Sequence, residues 1–230
     1  MRAIIFDAGP IISLTTNILL LILDRLKKRY NGKFYITQQV KKELVDVPLE
    51  TKKFKFEALQ VLALIGQGIL EIVITPQINN LTNTLIEKLN TCFKAHAHWI
   101  NIVHFGEMSV LSSALCLNSN SVVIDERTTR LVIENPERLI SILRDTLHTD
   151  IYINEKNLNE VTSMVSKIKP IRSVELVTIA YELGILDEYL VDIKNPKATL
   201  LESVLWGVKL NGCAVSKQEI KEILRIEGFQ

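Results

Sequence analysis

Four carboxylates in this 230-residue chain stand where the sequence would bring them together: Asp7, Glu43, Glu107 and Asp125. Asp7 ends the apolar run Ala3-Ile4-Ile5-Phe6 and is followed by Ala8-Gly9-Pro10, and Asp125 ends Val122-Val123-Ile124 in the same way. A short apolar run without polar alternation is the pattern of a strand covered on both faces. An ionised carboxylate at the end of such a strand is costly to desolvate unless a cation or a donor meets it. Glu43 falls about two turns into a helix that Thr37 would cap, and Glu107 opens a helix that feeds the Asp125 strand. Carboxylates crowded into one crevice raise each other's pKa unless a divalent cation is present. An all-oxygen donor set without His or Cys selects Mg²⁺ or Mn²⁺ over zinc. Such ions activate water and stabilise in-line displacement at phosphorus, so the implied chemistry is phosphodiester hydrolysis. Taken singly, each acid reads more readily as a solvated charge, a cap or an ion-pair partner, by roughly five to one. Glu43, in Lys41-Lys42-Glu43-Leu44, fits an exposed helix face as well as a site. The combination of two strand-end acids with two helical ones raises the odds.

The elements that must position these acids alternate between strand and helix, which predicts an α/β fold with a mostly parallel sheet whose carboxyl ends share one edge. One or two helices are expected over residues 11–30, broken at Thr15-Thr16-Asn17. A short strand at residues 34–36 then leads into a helix over 38–47 that Pro48 would halt. A helix over 53–65 and a strand over 70–75 follow. Residues 78–93 have helical spacing, and 99–104 read equally well as a strand or as an extended approach to the helix over 106–118. Beyond the Asp125 strand the pattern predicts a helix over 136–147, a strand at 151–153, helices over 158–168 and 173–183, and a terminal helical pair over 196–210 and 216–227. No internal repeat or low-complexity linker is present.

A hydrophobic content of 47% and a charged content of 23% suit an ordinary core built by one domain with an extension. From a formal net charge of +1, no general electrostatic attraction to nucleic acid or to a membrane surface follows. The charge is uneven: residues 1–60 hold eleven Lys or Arg against six acids. Lys27, Lys28 and Arg29 with their neighbours could contact RNA phosphates, although charge runs on helices are more often solvated faces, by roughly two to one. Cys92, Cys116 and Cys213 are odd in number and far apart, which fits core thiols in a reducing cytosol. His96, His98 and His104 with Cys92 match no common zinc spacing. Asp7 interrupts the N-terminal apolar run before a secretory core develops, and the run at residues 18–23 is too short to span a bilayer. A cytoplasmic protein with no membrane association is expected.

In order, Ile4-Ile5-Phe6-Asp7-Ala8-Gly9-Pro10-Ile11-Ile12-Ser13-Leu14, Ile36-Thr37-Gln38-Gln39-Val40-Lys41-Lys42-Glu43-Leu44, Gly106-Glu107-Met108-Ser109 and Val122-Val123-Ile124-Asp125-Glu126-Arg127 resemble the motifs of PIN-domain proteins, a family of metal-dependent ribonucleases that includes toxins of toxin–antitoxin pairs. The likeness covers residues 1–134 and resumes near Pro170. It implies a three-layer α/β/α PIN-like fold with a central sheet of four to five strands and a C-terminal helical extension. The expected division is a nuclease domain over 1–190, with a helical insertion at about 134–170, and an extension over 191–230. By the same resemblance, Asp7, Glu43, Glu107 and Asp125 would hold Mg²⁺ or Mn²⁺ and carry catalysis, Glu126 would supplement them, and Ser13 and Arg130 would support the site or the substrate. RNA is the implied substrate, and an antitoxin or other protein inhibitor is a possible partner, as is a second copy of the chain around the apolar residues 200–210.

The chain also departs from the family pattern. The 134–170 segment is longer than the family's connection, and the Gly-Thr turn common after its last strand is missing after Ile153, where Asn154-Glu155 stands. Other readings stay open: a PIN-like module that binds RNA or protein without cleaving, or a toxin component. An aspartyl phosphotransferase of the haloacid-dehalogenase type ranks low, because it needs a second Asp where this chain has Gly9.

Overall fold

The computed structural model describes residues 2–229. The chain opens with β1 (Ala3–Phe6), α1 (Ala8–Thr16), α2 (Ile22–Tyr30) and β2 (Lys33–Thr37). A short α3 (Gln38–Lys41), a π-helical turn (Lys42–Asp46) and α4 (Val47–Glu50) follow without interruption, then α5 (Lys55–Gly66), β3 (Glu71–Val73) and α6 (Pro76–Leu89). Next come β4 (Phe93–Ala95), β5 (His98–Trp99), α7 (Phe105–Cys116), β6 (Ser121–Val123), α8 (Arg127–Glu134) and α9 (Pro136–Leu147). The chain closes with β7 (Tyr152–Ile153), α10 (Glu155–Val165), β8 (Lys169–Ile171), α11 (Ser173–Glu182), α12 (Pro196–Leu210) and α13 (Lys217–Ile226).

Five strands form the central sheet in the order β3-β2-β1-β6-β8, and every pairing in it is parallel. Helices flank it: α7 lies against β1 and β2 with α6 and α10 packed beyond it, while α1 packs with α5, α11 and α12. This is the expected three-layer α/β architecture. The continuous apolar runs are accounted for by burial on both faces, since Ile5, Phe6, Phe34, Ile36, Val122 and Val123 are all within 1% of complete burial. Each such side chain contributes about 1.5–3 kcal/mol relative to exposure. The rings of Phe6 and Phe34 meet across the β1–β2 pair with centroids 5.0 Å apart.

Most predicted elements are present, and four features differ. Pro48 does not halt the helix that carries Glu43; it sits in the first turn of α4, and the wider turn just before it lets the chain continue past the missing amide. The run at 70–75 pairs only over Glu71–Val73. Tyr152–Ile153 is a strand but not part of the central sheet: it pairs antiparallel with β4, which also pairs antiparallel with β5. The last strand of the central sheet is β8, a three-residue segment with Pro170 at its centre, so the segment after it is Arg172-Ser173 and not Asn154-Glu155. Pro170 lacks an amide for a ladder, which is tolerated because β8 is an edge strand.

The apolar residues of 200–210 face inward. Leu201, Leu205 and Val208 of α12 are completely buried and belong to the same core as the sheet, which leaves Leu210 as that stretch's strongly exposed apolar side chain. No helix among the described residues is long and apolar enough to cross a membrane.

Candidate active site

β1 and β6 are adjacent and parallel, so their carboxyl ends deliver Asp7 and Asp125 to one edge of the sheet. The Asp7 amide donates to the Val123 carbonyl at 2.9 Å, which fixes this end of β1 against β6. Gly9, in the first turn of α1, faces the gap between the two acids: a methyl group placed there would lie 3.7 Å from Asp7 Oδ2 and 3.7 Å from the Asp125 Cβ. Both acids are deeply buried, at 7% and 4% exposure.

Asp125 is fully engaged. The Ser173 amide donates to its Oδ1 at 2.7 Å and the Ser173 hydroxyl to its Oδ2 at 2.6 Å, so both oxygens are anchored at the start of α11. Cys213, from the loop after α12, lies against the same pair; burial and then the Asp125 charge push its thiol up to about 12. A thiol so poised is a packing group, and burial likewise pushes Cys92 up to about 11.

Asp7 is in the opposite situation. Its carboxyl is pushed up to about 7, first by burial and next by the Glu107 carboxylate, with Glu43 adding to the effect; the amides of Ala8 and Gly9 pull it down without compensating. Glu107 stands in the first turn of α7, and its Oε2 is buried without a hydrogen-bond donor. Glu43 rides on the π-helical turn, exposed, accepting from Gln39 Nε2 at 2.8 Å. Its carboxylate packs over Gly106, where an added Cβ would meet Oε1 at 3.1 Å. The crevice thus grades from the buried Asp7, through Glu107, to Glu43 at its mouth.

The other sequence candidates are placed elsewhere or otherwise occupied. Glu126 caps α8 by accepting from the Thr129 amide at 2.5 Å. Ser13 is completely buried and its hydroxyl lies 3.4 Å from the Val208 carbonyl, facing α12. Lys27 Nζ donates to the carbonyls of Gly68 and Ile69 at 2.5 and 3.0 Å, so it closes the turn after α5 instead of standing free for a substrate. Lys28 pairs with Asp24 one turn back, at 2.6 Å, and Arg29 makes no ion pair among the described residues. Arg130 is mostly buried on α8, away from any strong partner.

Two participants carry no mark of a site in the sequence. Ser173 there is only the start of a helix, yet its grip on Asp125 spans 48 positions. Arg172 beside it is 11% exposed at the side chain and joins Glu175 of α11, Glu219 of α13 and the Ala214 carbonyl, at 2.5, 2.7 and 3.1 Å. Burial alone would raise the Glu219 carboxyl, but the Ser216 amide and the Arg172 guanidinium outweigh it and hold it at about 2. The tail is therefore tied to the residue that precedes Ser173.

The donor set suits a hard cation: carboxylates only, one of them with a buried oxygen that has no donor, and negative charges acting on Asp7. As the side chains are arranged, no three His, Cys, Asp or Glu among the described residues converge tightly enough to enclose an ion.

No family model matches the sequence, and no curated protein matches it. Among solved structures, the chain is similar to VapBC2 from Rickettsia felis bound to a DNA fragment from its promoter, with 16% sequence identity and a TM-score of 0.41 over 54% of this chain and 88% of that one. A likeness of that degree carries no weight for activity.

Proposed function

We propose that this protein is a divalent-cation-dependent phosphodiesterase acting on RNA, with Asp7, Glu107 and Glu43 as the acids that would hold Mg²⁺ or Mn²⁺ and Asp125 as the fixed acid beside them. The observation that carries this reading is the electrostatic imbalance at Asp7: a buried carboxyl raised to about 7 by burial and two carboxylates, next to a Glu107 oxygen without a donor. Such an arrangement is unfavourable alone and favourable around a positive ion. RNA as the substrate class rests on the sequence resemblance to PIN-domain proteins.

When bound, the cation supplies a Lewis acid for a phosphate oxygen and lowers the pKa of coordinated water. The chain's own residues do the rest. Ser173 keeps Asp125 in one orientation, so this acid is positioned before any ligand arrives. Asp7 releases a proton near neutrality, which makes the crevice's negative charge, and hence its affinity for a cation, grow as pH rises through about 7. Glu43, exposed and held only through Gln39, is the side chain that can swing inward.

The test is incubation of mixed RNA with Mn²⁺, comparing wild type with Asp7→Asn and Glu107→Gln. Cleavage by wild type that both substitutions abolish supports the reading; equal products from all three, or none from any, sinks it. One observation favours a second reading, a module that binds RNA without cutting it: the acids do not enclose an ion as they stand. RNA retained by wild type and by both variants, with no cleavage by any, would establish that reading instead.

A further inference from the structure

A cavity whose wall does not include the acidic site is lined by arginines for which that site has no use. It is a half-open cleft of about 690 Å³ between α8, α9 and the tail at residues 214–222. Arg127, Arg130, Arg138 and Arg172 all contribute to its wall. Arg172 is fully committed to Glu175 and Glu219. The other three are not. Arg130 is 13% exposed, meets Glu134 only at 3.9 Å, and its buried Nε has no acceptor. Arg127 and Arg138 are exposed and make no ion pair among the described residues.

Of the acids of the same wall, Glu219 is held by Arg172 and the Ser216 amide, while Glu222 accepts only from the neutral Gln218 amide at 3.2 Å and keeps its charge. Glu134 has only its distant approach to Arg130, so these two carboxylates stand against three guanidinium groups. The Nε of Arg130 is closed to solvent, so a ligand in the cavity would meet the partly exposed remainder of that side chain together with the exposed Arg127 and Arg138, none of which has an ion pair closer than 3.9 Å among the described residues.

We propose that this cavity binds a phosphate ester of nucleotide size, the phosphate taken by Arg127, Arg130 and Arg138. Guanidinium forks match the paired oxygens of a phosphate, with charge-assisted bonds about twice as strong as neutral ones. The volume falls among cavities that hold small organic ligands, roughly 300–1,000 Å³, and exceeds what an inorganic anion fills. In the chain, Arg127 follows Asp125 by two positions and Arg172 directly precedes Ser173, while the acids of the crevice, Asp7, Glu43, Glu107 and Asp125, are not part of the cavity's wall. If the proposed function holds, its ligand is the phosphorylated end of an RNA strand lying across that crevice.

The experiment is isothermal titration of the full chain, in chelator so that no RNA is cut, with a 5′-phosphorylated dinucleotide, the same dinucleotide without the phosphate, and a nucleoside 5′-monophosphate. The expected result is binding of the phosphorylated dinucleotide that weakens about tenfold or more, both without its phosphate and in an Arg127→Gln Arg138→Gln variant. Both substituted side chains are exposed, so the variant keeps its fold. Equal binding with and without the phosphate, or binding unaffected in the double variant, would each overturn the assignment. The monophosphate arm identifies the source: affinity equal to the dinucleotide's marks a free-nucleotide site, and weaker affinity marks a strand end. Because nothing is cleaved, absence of nuclease activity leaves this result standing, and cleavage by wild type does not rescue it.

Discussion

Ser173 holds both oxygens of Asp125, the amide on Oδ1 at 2.7 Å and the hydroxyl on Oδ2 at 2.6 Å, although the two residues lie 48 positions apart. The pair joins the end of β6 to the start of α11 in a region where Ser173 is completely buried and Asp125 nearly so. A hydrogen bond to a buried carboxylate contributes about 1.5–3 kcal/mol. Ser173→Ala should therefore lower the stability by about 2 kcal/mol in urea unfolding, with an unchanged dependence on denaturant. A midpoint within error of wild type would mean that the amide alone secures Asp125.

Asp7 makes stability depend on pH. Its carboxyl titrates at 3.8 when unperturbed and at about 7 in the fold. Between those values the folded state keeps a proton that the unfolded chain has released. The stability is thus fully present below about pH 4 and declines as pH rises to about 7, by something on the order of 4 kcal/mol in total. In chelator, unfolding midpoints should fall between pH 5 and pH 8, and Asp7→Asn should flatten that dependence and exceed wild type at pH 8. Mn²⁺ at pH 8 should return the wild-type midpoint toward its acid value. A wild-type profile already flat in chelator would remove the imbalance on which the proposed site rests.

Gly106 provides a test that separates fold from site. A Cβ there would stand 3.1 Å from Glu43 Oε1, and the neighbour that must give way is the end of a flexible, exposed side chain. Backbone entropy favours alanine over glycine in a helix by up to about 1 kcal/mol. Gly106→Ala should leave the unfolding midpoint unchanged or slightly higher, while Mn²⁺ affinity falls because Glu43 is displaced. A lower midpoint would mean that Gly106 serves packing, and a Mn²⁺ affinity equal to wild type would mean that Glu43 is not a ligand.

The sequence is most informative where local pattern and tertiary position coincide. Ile4-Ile5-Phe6 and Val122-Val123-Ile124 cannot avoid the interior, so the acids that follow them are bound to emerge at adjacent strand ends. Glu107 is legible for a related reason, because its helix leads into β6. What stays hidden depends on packing between distant segments or on exceptions to local rules. β8 is three residues long and contains a proline, so nothing in its own composition separates it from a loop; it is a strand because Val122 and Val123 offer it a partner. The π-helical turn that carries Glu43 past Pro48 breaks the rule that proline ends a helix. Arg172 has one local partner in Glu175, but its ties to Ala214 and Glu219 of the tail leave no local signal.

The basic run of α2 divides once its partners are known. Lys27 donates to Gly68 and Ile69, with Glu71 at 3.4 Å, and its side chain is 19% exposed. Lys28 pairs only with a residue of its own helix, and Arg29 with none among the described residues. A cation held by two carbonyls serves the turn after α5; two cations on an open helical face remain able to meet phosphates. Lys27→Gln should therefore lower stability by about 1 kcal/mol and leave the salt dependence of RNA binding as it was. Lys28→Gln with Arg29→Gln should do the reverse, keeping the unfolding midpoint and flattening the slope of log K against log salt by about 0.7 for each phosphate that is no longer neutralised. Filter binding across a range of salt concentrations, beside urea unfolding of the same variants, reads both effects. A slope that stays constant in the double variant places the RNA-facing surface away from α2, and a slope that changes with Lys27→Gln alone would show that its hydrogen bonds to Gly68 and Ile69 open in solution.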